Sequence, residues 1–119
     1  VSFKRRDRVA ELLQRELGML ISEELRDPRI VFPTVTSVEI TGDLRVAKVF
    51  VSVLGDDDAA GATLAALREA TPFIRHRLGD RIELRFVPEL EFVADRSAVR
   101  AARISALLRE AKGDRAGRE

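Results

Sequence analysis

Residues 70–81 read ATPFIRHRLGDR, and this stretch gathers Arg75, Arg77, Arg81 and the only histidine of the chain, His76, around a proline and a glycine. Guanidinium groups are planar, permanently charged forks that match phosphate oxygens two at a time, so such a turn is a candidate phosphate grip. Arg85 shares a strand face with Arg81 and extends the run. Successive helical residues point roughly 100° apart, so Arg75, His76 and Arg77 cannot all face one way. Phe73, Ile74 and Leu78 are expected to cover the core. Other chemistry is thin. One histidine with no cysteine and no tyrosine leaves few nucleophile–base pairs, and His76 reads as a surface residue rather than a proton-transfer group. Asp56, Asp57 and Asp58 could ligate magnesium. They stand before an expected helix, however, where carboxylates complement the positive end of its dipole, and that reading is preferred. Asp95 and Ser97 resemble a cap for a last helix. No P-loop or dinucleotide fingerprint occurs. The residues favour neither an enzyme nor a cofactor or metal site.

Two further groups of cations have helical spacing. Lys4, Arg8, Arg15 and Arg26 follow one another at intervals of 4, 7 and 11 residues, along one stripe of a first helix, with Glu11 in position to pair with Arg15. Arg96, Arg100 and Arg103 share a face of a last helix. Either stripe could follow a phosphate backbone, and either could be the wet side of an amphipathic helix. Net charge is only +1, but residues 1–60 carry −2 and residues 61–119 carry +3. Eighteen of the 21 cations are arginine, a bias that arginine-rich coding would also produce. Base stacking has little support: of six phenylalanines, only Phe3 and Phe50 are expected to be exposed.

The elements that must position these groups follow from periodicity. Val9, Leu12, Leu13, Leu17, Leu20, Ile21 and Leu25 mark one buried face of a helix over 5–26, which stops before Pro28. TVTSVEIT (34–41) and RVAKVFVSVL (45–54) alternate as strands, and the second, apolar on nearly both faces, is expected at the centre of its sheet. A helix follows over 62–70. Thr71 then reads as an N-cap with Pro72 at the first position of a short helix that ends at Gly79. RIELRF (81–86) alternates with Ile82, Leu84 and Phe86 inward. A last helix runs from 97 to 111 with Ile104, Leu107, Leu108 and Ala111 inward, and residues 113–119 are expected to fray as a tail beyond a single domain of residues 1–112. At 45% apolar and 34% charged residues the composition is globular. The basic N-terminus does not read as a secretory signal, no run spans a membrane, and a cytoplasmic protein is expected.

The order αββααβα, with a crossover between parallel neighbours, predicts an α+β fold of the KH-like type II class: a three-stranded mixed sheet, helices on one face and an added C-terminal helix. Four blocks carry a resemblance over nearly the whole chain: RVAELLQRELGMLISEELRDPRI, VTSVEITGDLRVAKVFVSVLGD, PFIRHRLGDRIELRFVPELEFVADRS and ISALL. In that order and spacing they resemble bacterial ribosome-binding factor A. The resemblance implies a non-enzymatic, monomeric assembly factor without cofactors. Its partners would be small-subunit rRNA and the free small (30S) ribosomal subunit, and it would assist late maturation and processing of 16S rRNA near the 5′-terminal helix. Conventional KH domains clamp a backbone with a GxxG loop, and that tetrapeptide is absent. The family instead has a helix interrupted at an alanine, which Ala70 matches; Thr71 and Pro72 depart from a glycine-amide clamp, so contact is expected from side chains. Two alternatives remain open from the residues alone, a general KH-like RNA-binding module and a protein-interaction domain using its open sheet face around Phe50.

Overall fold

The computed structural model describes the backbone of residues 2–117 and the side chains of residues 5–113. Helix α1 spans Ser2–Glu24. Val9, Leu13, Leu17, Leu20 and Ile21, at steps of three and four, are all buried, while Leu12 and Leu25 pack at the margin. The helix stops two residues short of the expected end, so Arg26 lies in the following loop. There Asp27 accepts the backbone N–H and guanidinium of Arg29.

Strands β1 (Pro33–Ile40) and β2 (Val46–Val53) form an antiparallel hairpin. Its turn is closed by Asp43, whose Oδ1 accepts the Thr41 hydroxyl at 2.7 Å and the Arg45 N–H at 3.1 Å. The ladder pairs Val35 with Val51 and Ser37 with Phe50, which leaves Thr36 as the extra residue of a β-bulge. β2 is the central strand. Ala47, Val49, Val51 and Val53 are buried beneath the helices, whereas Lys48 is exposed and Phe50 half-buried on the opposite face.

Helix α2 (Asp57–Glu69) begins at Asp56, whose side chain accepts the Ala59 N–H at 2.8 Å. Helix α3 (Thr71–Arg81) follows without a loop. Ala70, in right-handed helical geometry, ends one and starts the other: its N–H bonds the carbonyl of Ala66, and its carbonyl accepts the N–H of Ile74. Thr71 is therefore not the N-cap; its hydroxyl turns back to the Leu67 carbonyl at 3.0 Å. Pro72 sits in the first turn, where its missing N–H costs nothing. Nor does Gly79 end α3, which continues to Arg81, with the Ile82 N–H bonding the Leu78 carbonyl.

The largest correction concerns β3. It is formed by Glu89–Ala94, not by residues 81–86, and pairs in parallel with β2 from Val46↔Glu89 to Val51↔Ala94. Both windows alternate, but Pro88, lacking an N–H, precedes the ladder, and Leu90 and Phe92 supply the inward residues. Residues 82–88 become a connection in which Ile82 is buried but Phe86 is 60% exposed. Phe73 is 46% exposed because α3 buries Ile74 and Leu78, one turn apart, and Phe73 falls off that line.

Helix α4 (Ser97–Gly117) extends past the expected end at Ala111. The side chains of the tail from residue 114 onward lie outside the described residues, as do those of Phe3 and Lys4. Ile104, Leu107 and Leu108, expected in the core, are each about 60% exposed. Nothing packs on this stripe, so its amphipathic pattern has no partner within the described residues. The fold is thus a three-stranded mixed sheet with α1, α2 and α3 on one face and α4 added, the αββααβα arrangement of the KH-like type II class. Among the described residues no helix is long and apolar enough to cross a membrane.

Candidate nucleic-acid interface

The arginines of α3 are engaged within the protein. Arg75 donates through Nε to the Pro88 carbonyl at 3.0 Å and through Nη2 to the Val87 carbonyl at 2.7 Å. Arg77 donates to Glu24 at 2.6 Å and approaches Asp80 at 3.4 Å. Arg81 reaches Glu23 at 3.0 Å, Glu24 at 3.1 Å and Glu16 at 3.5 Å. Arg77, and then Arg81, hold the Glu24 carboxyl below its ordinary range against some desolvation. Hydrogen bonds to Glu23 and Glu24 raise Arg81 in turn. These contacts bind α3 to the end of α1. Any phosphate reaching Arg77 or Arg81 must compete with carboxylates already in place. His76, between them in sequence, is exposed to solvent.

The two stripes divide in the same way. Arg8 and Arg26 are exposed and make no ion pair with the described residues. Arg15 does not pair with Glu11; it lies 3.9 Å from Glu16 and remains 68% exposed. Arg96 is a structural staple, its side chain 13% exposed, donating to the carbonyls of Val53 and Gly55 at 3.2 Å and to Asp57 at 3.1 Å. Arg103 approaches the same Asp57 at 3.8 Å and stays largely exposed. Arg100 is exposed. Of the carboxylate triplet, Asp56 thus caps α2 and Asp57 receives Arg96.

The structure also joins residues that lie far apart in the sequence. Two guanidiniums approach the ring of Phe86, that of Arg45, just before β2, and that of Arg85, with carbons 5.7 and 5.5 Å from the ring centroid. A strand over 81–86 would turn this ring inward. The signal that places it outside is the adjacent ELEF, which alternates equally well and follows a proline.

Known proteins share both this sequence and this fold. The sequence profile of ribosome-binding factor A matches residues 5–108. The chain belongs to the ribosome-binding factor A family. The ribosome-binding factor A of Chromohalobacter salexigens is 47% identical over 114 residues, covering 94% of this chain and 87% of that protein. That of Desulfitobacterium hafniense is 51% identical over 108 residues, covering 91% and 86%. The crystal structure of ribosome-binding factor A from Thermus thermophilus superposes with a TM-score of 0.70 at 29% identity, covering 77% of this chain and 97% of that one. A homology model of the Thermus thermophilus factor, fitted into a cryo-EM map of its complex with the 30S subunit, gives a TM-score of 0.62 at 32% identity, covering 73% and 91%.

Proposed function

We propose that the chain is a non-enzymatic, monomeric, cytoplasmic assembly factor that binds the free small ribosomal subunit and assists late maturation and processing of 16S rRNA, near its 5′-terminal helix. The observation that carries this reading is the shared fold and sequence of the Thermus thermophilus factor fitted into a 30S complex. The charge distribution supports docking through side chains, since no glycine clamp exists. Among the basic residues singled out in the sequence, Arg8, Arg26, Arg85 and Arg100 are available for phosphate, with Arg15 and Arg103 only loosely paired, Lys4 preceding Arg8 in the sequence and the exposed His76 ring able to offer a hydrogen bond. Arg75, Arg77, Arg81 and Arg96 hold the elements that carry them. A factor that binds one conformer of immature rRNA shifts the equilibrium toward it and performs no chemistry. The open sheet face is a weaker docking surface, because Phe50 is half-buried and adjoins exposed Lys48.

Sedimentation tests the reading. The protein should travel with free 30S subunits and be missing from translating ribosomes, and cells lacking it should accumulate unprocessed 16S precursor. Equal occupancy of free and translating subunits, or normal processing in its absence, would refute it.

A further inference from the structure

Phe86 is held out to solvent by the α3–β3 connection, 60% exposed. Its two guanidinium neighbours come from separate elements. Neither Arg45 nor Arg85 has a carboxylate within ion-pair distance among the described residues, so both retain donors for an anion while standing 5.7 and 5.5 Å from the ring centroid, near enough for attraction to the ring. The ring lines a hollow of about 290 Å³, to which Leu44 and Leu84 add apolar surface and which Gly42, Arg5 and Arg85 also line. That is the small end of the range for ligand pockets, roughly 300–1,000 Å³, suited to one planar ring system and not to a longer segment. Asp43 is the one carboxylate in this wall. Its Oδ1 is occupied by the Thr41 hydroxyl and the Arg45 N–H. The Thr41 hydroxyl, first among these donors, holds the carboxyl below its ordinary range. Arg5 and Arg85 against the one carboxylate leave the wall positive, and Arg45 stands outside it beside the Phe86 ring.

We propose that this hollow binds a single unpaired RNA nucleotide, its base stacked on Phe86 against Leu44 and Leu84, its flanking phosphates met by Arg45 and Arg85. The assignment to RNA rests on the proposed function above. The choice of a nucleotide over an apolar protein side chain rests on charge complementarity: an exposed aromatic ring with two unpaired guanidiniums nearby matches a base with phosphates on either side of it in the chain. A paired base is excluded, because its face is covered within the helix.

The test uses the full chain, titrated with a fluorescein-labelled single-stranded RNA octamer, an abasic octamer of equal charge, a duplex of equal length, and adenosine monophosphate. The wild type should prefer the base-bearing octamer over the abasic one and over the duplex. Phe86→Ala, a change at an exposed position, should keep its melting temperature, weaken the base-bearing octamer roughly 10-fold or more, and leave the abasic octamer unchanged. Phe86→Tyr should restore binding. Tighter binding of adenosine monophosphate than of the octamer would replace RNA by a free nucleotide and overturn the proposal, as would wild-type octamer binding by Phe86→Ala. Free 30S subunits are titrated in parallel. If Phe86→Ala loses affinity for the subunit but not for the octamer, the ring meets a ribosomal protein and the nucleotide site is refuted. Failure of the wild type to bind 30S subunits would instead refute the proposed function, while octamer binding that depends on Phe86 would still support the pocket.

Discussion

Thr36 and Asp95, 59 residues apart, share a 2.7 Å hydrogen bond that reaches from one edge of the sheet to the other across the central strand. The donor is the bulged residue of β1, and the acceptor follows the last residue of β3. Asp95 also accepts the hydroxyl of Ser97 at 2.6 Å and its N–H at 3.0 Å. One carboxylate thus joins both edge strands to the start of α4.

Those donors set a pH dependence. The Ser97 hydroxyl, then the Thr36 hydroxyl and the Ser97 N–H, push the Asp95 carboxyl down to about 2 from its ordinary 3.8. A carboxyl lowered in the folded state stabilises it above the unfolded value, and that stabilisation is lost as pH falls through the folded value. Asp95→Asn should therefore lower the melting temperature at pH 7, and the gap from wild type should close between about pH 4 and pH 2. A gap that stays constant over that window would show that Asp95 acts through shape and not through charge.

Arg75 should behave as a structural residue. Its fork bonds two successive carbonyls, those of Val87 and Pro88, immediately before β3. Arg75→Ala removes both donors at a partly buried site and should cost about 1–3 kcal/mol in urea unfolding. Arg75→Lys should recover only part of this, since an ammonium lacks the fork. Unfolding within about 0.5 kcal/mol of wild type would return Arg75 to the solvated surface.

How far the sequence reveals this molecule depends on the range of the interactions involved. α1, β1, β2 and α2 follow from local periodicity, because the residues that define each face are close in sequence. β3 does not, since RIELRF and ELEF alternate equally well and only pairing with β2 selects the second. In α3 the core line runs through Ile74 and Leu78, one turn apart, and this leaves Phe73 outside. The stripe of Ile104, Leu107 and Leu108 states that a face is apolar, not that anything covers it. Most of the basic groups are legible as charges, but not which are already neutralised: Arg77 meets Glu24 across 53 positions of sequence.

Gly18 offers a simple stabilisation. It lies inside α1, and a Cβ built there meets no heavy atom within 4 Å. Gly18→Ala should add about 0.5–1 kcal/mol by restricting the unfolded chain. The melting temperature should rise by a few degrees. No change, or a fall, would show that the helix needs flexibility at this point.

Binding to small-subunit rRNA should weaken steeply with salt, by about −0.7 to −0.9 in the slope of log K against log salt for each phosphate neutralised. Arg8→Ala and Arg26→Ala should each reduce that slope by about one such contact. Arg77→Ala should leave the slope alone and lower stability through Glu24. If only Arg77→Ala changes the slope, the division between free and engaged arginines is wrong.

The exposed stripe of α4 bears on how the molecule opens. Hydrogen-exchange protection follows the free energy of the smallest unfolding that frees an amide, and a helix without tertiary cover can unwind while the rest stays closed. Beyond Arg103, whose weak approach to Asp57 is the last ion pair along α4 among the described residues, the helix relies on its own backbone bonds. Its amides should exchange as a separate cooperative unit, orders of magnitude faster than those of β2, which is paired on both sides. A ligand that covered Ile104, Leu107 and Leu108 would slow that exchange without altering the melting of the sheet.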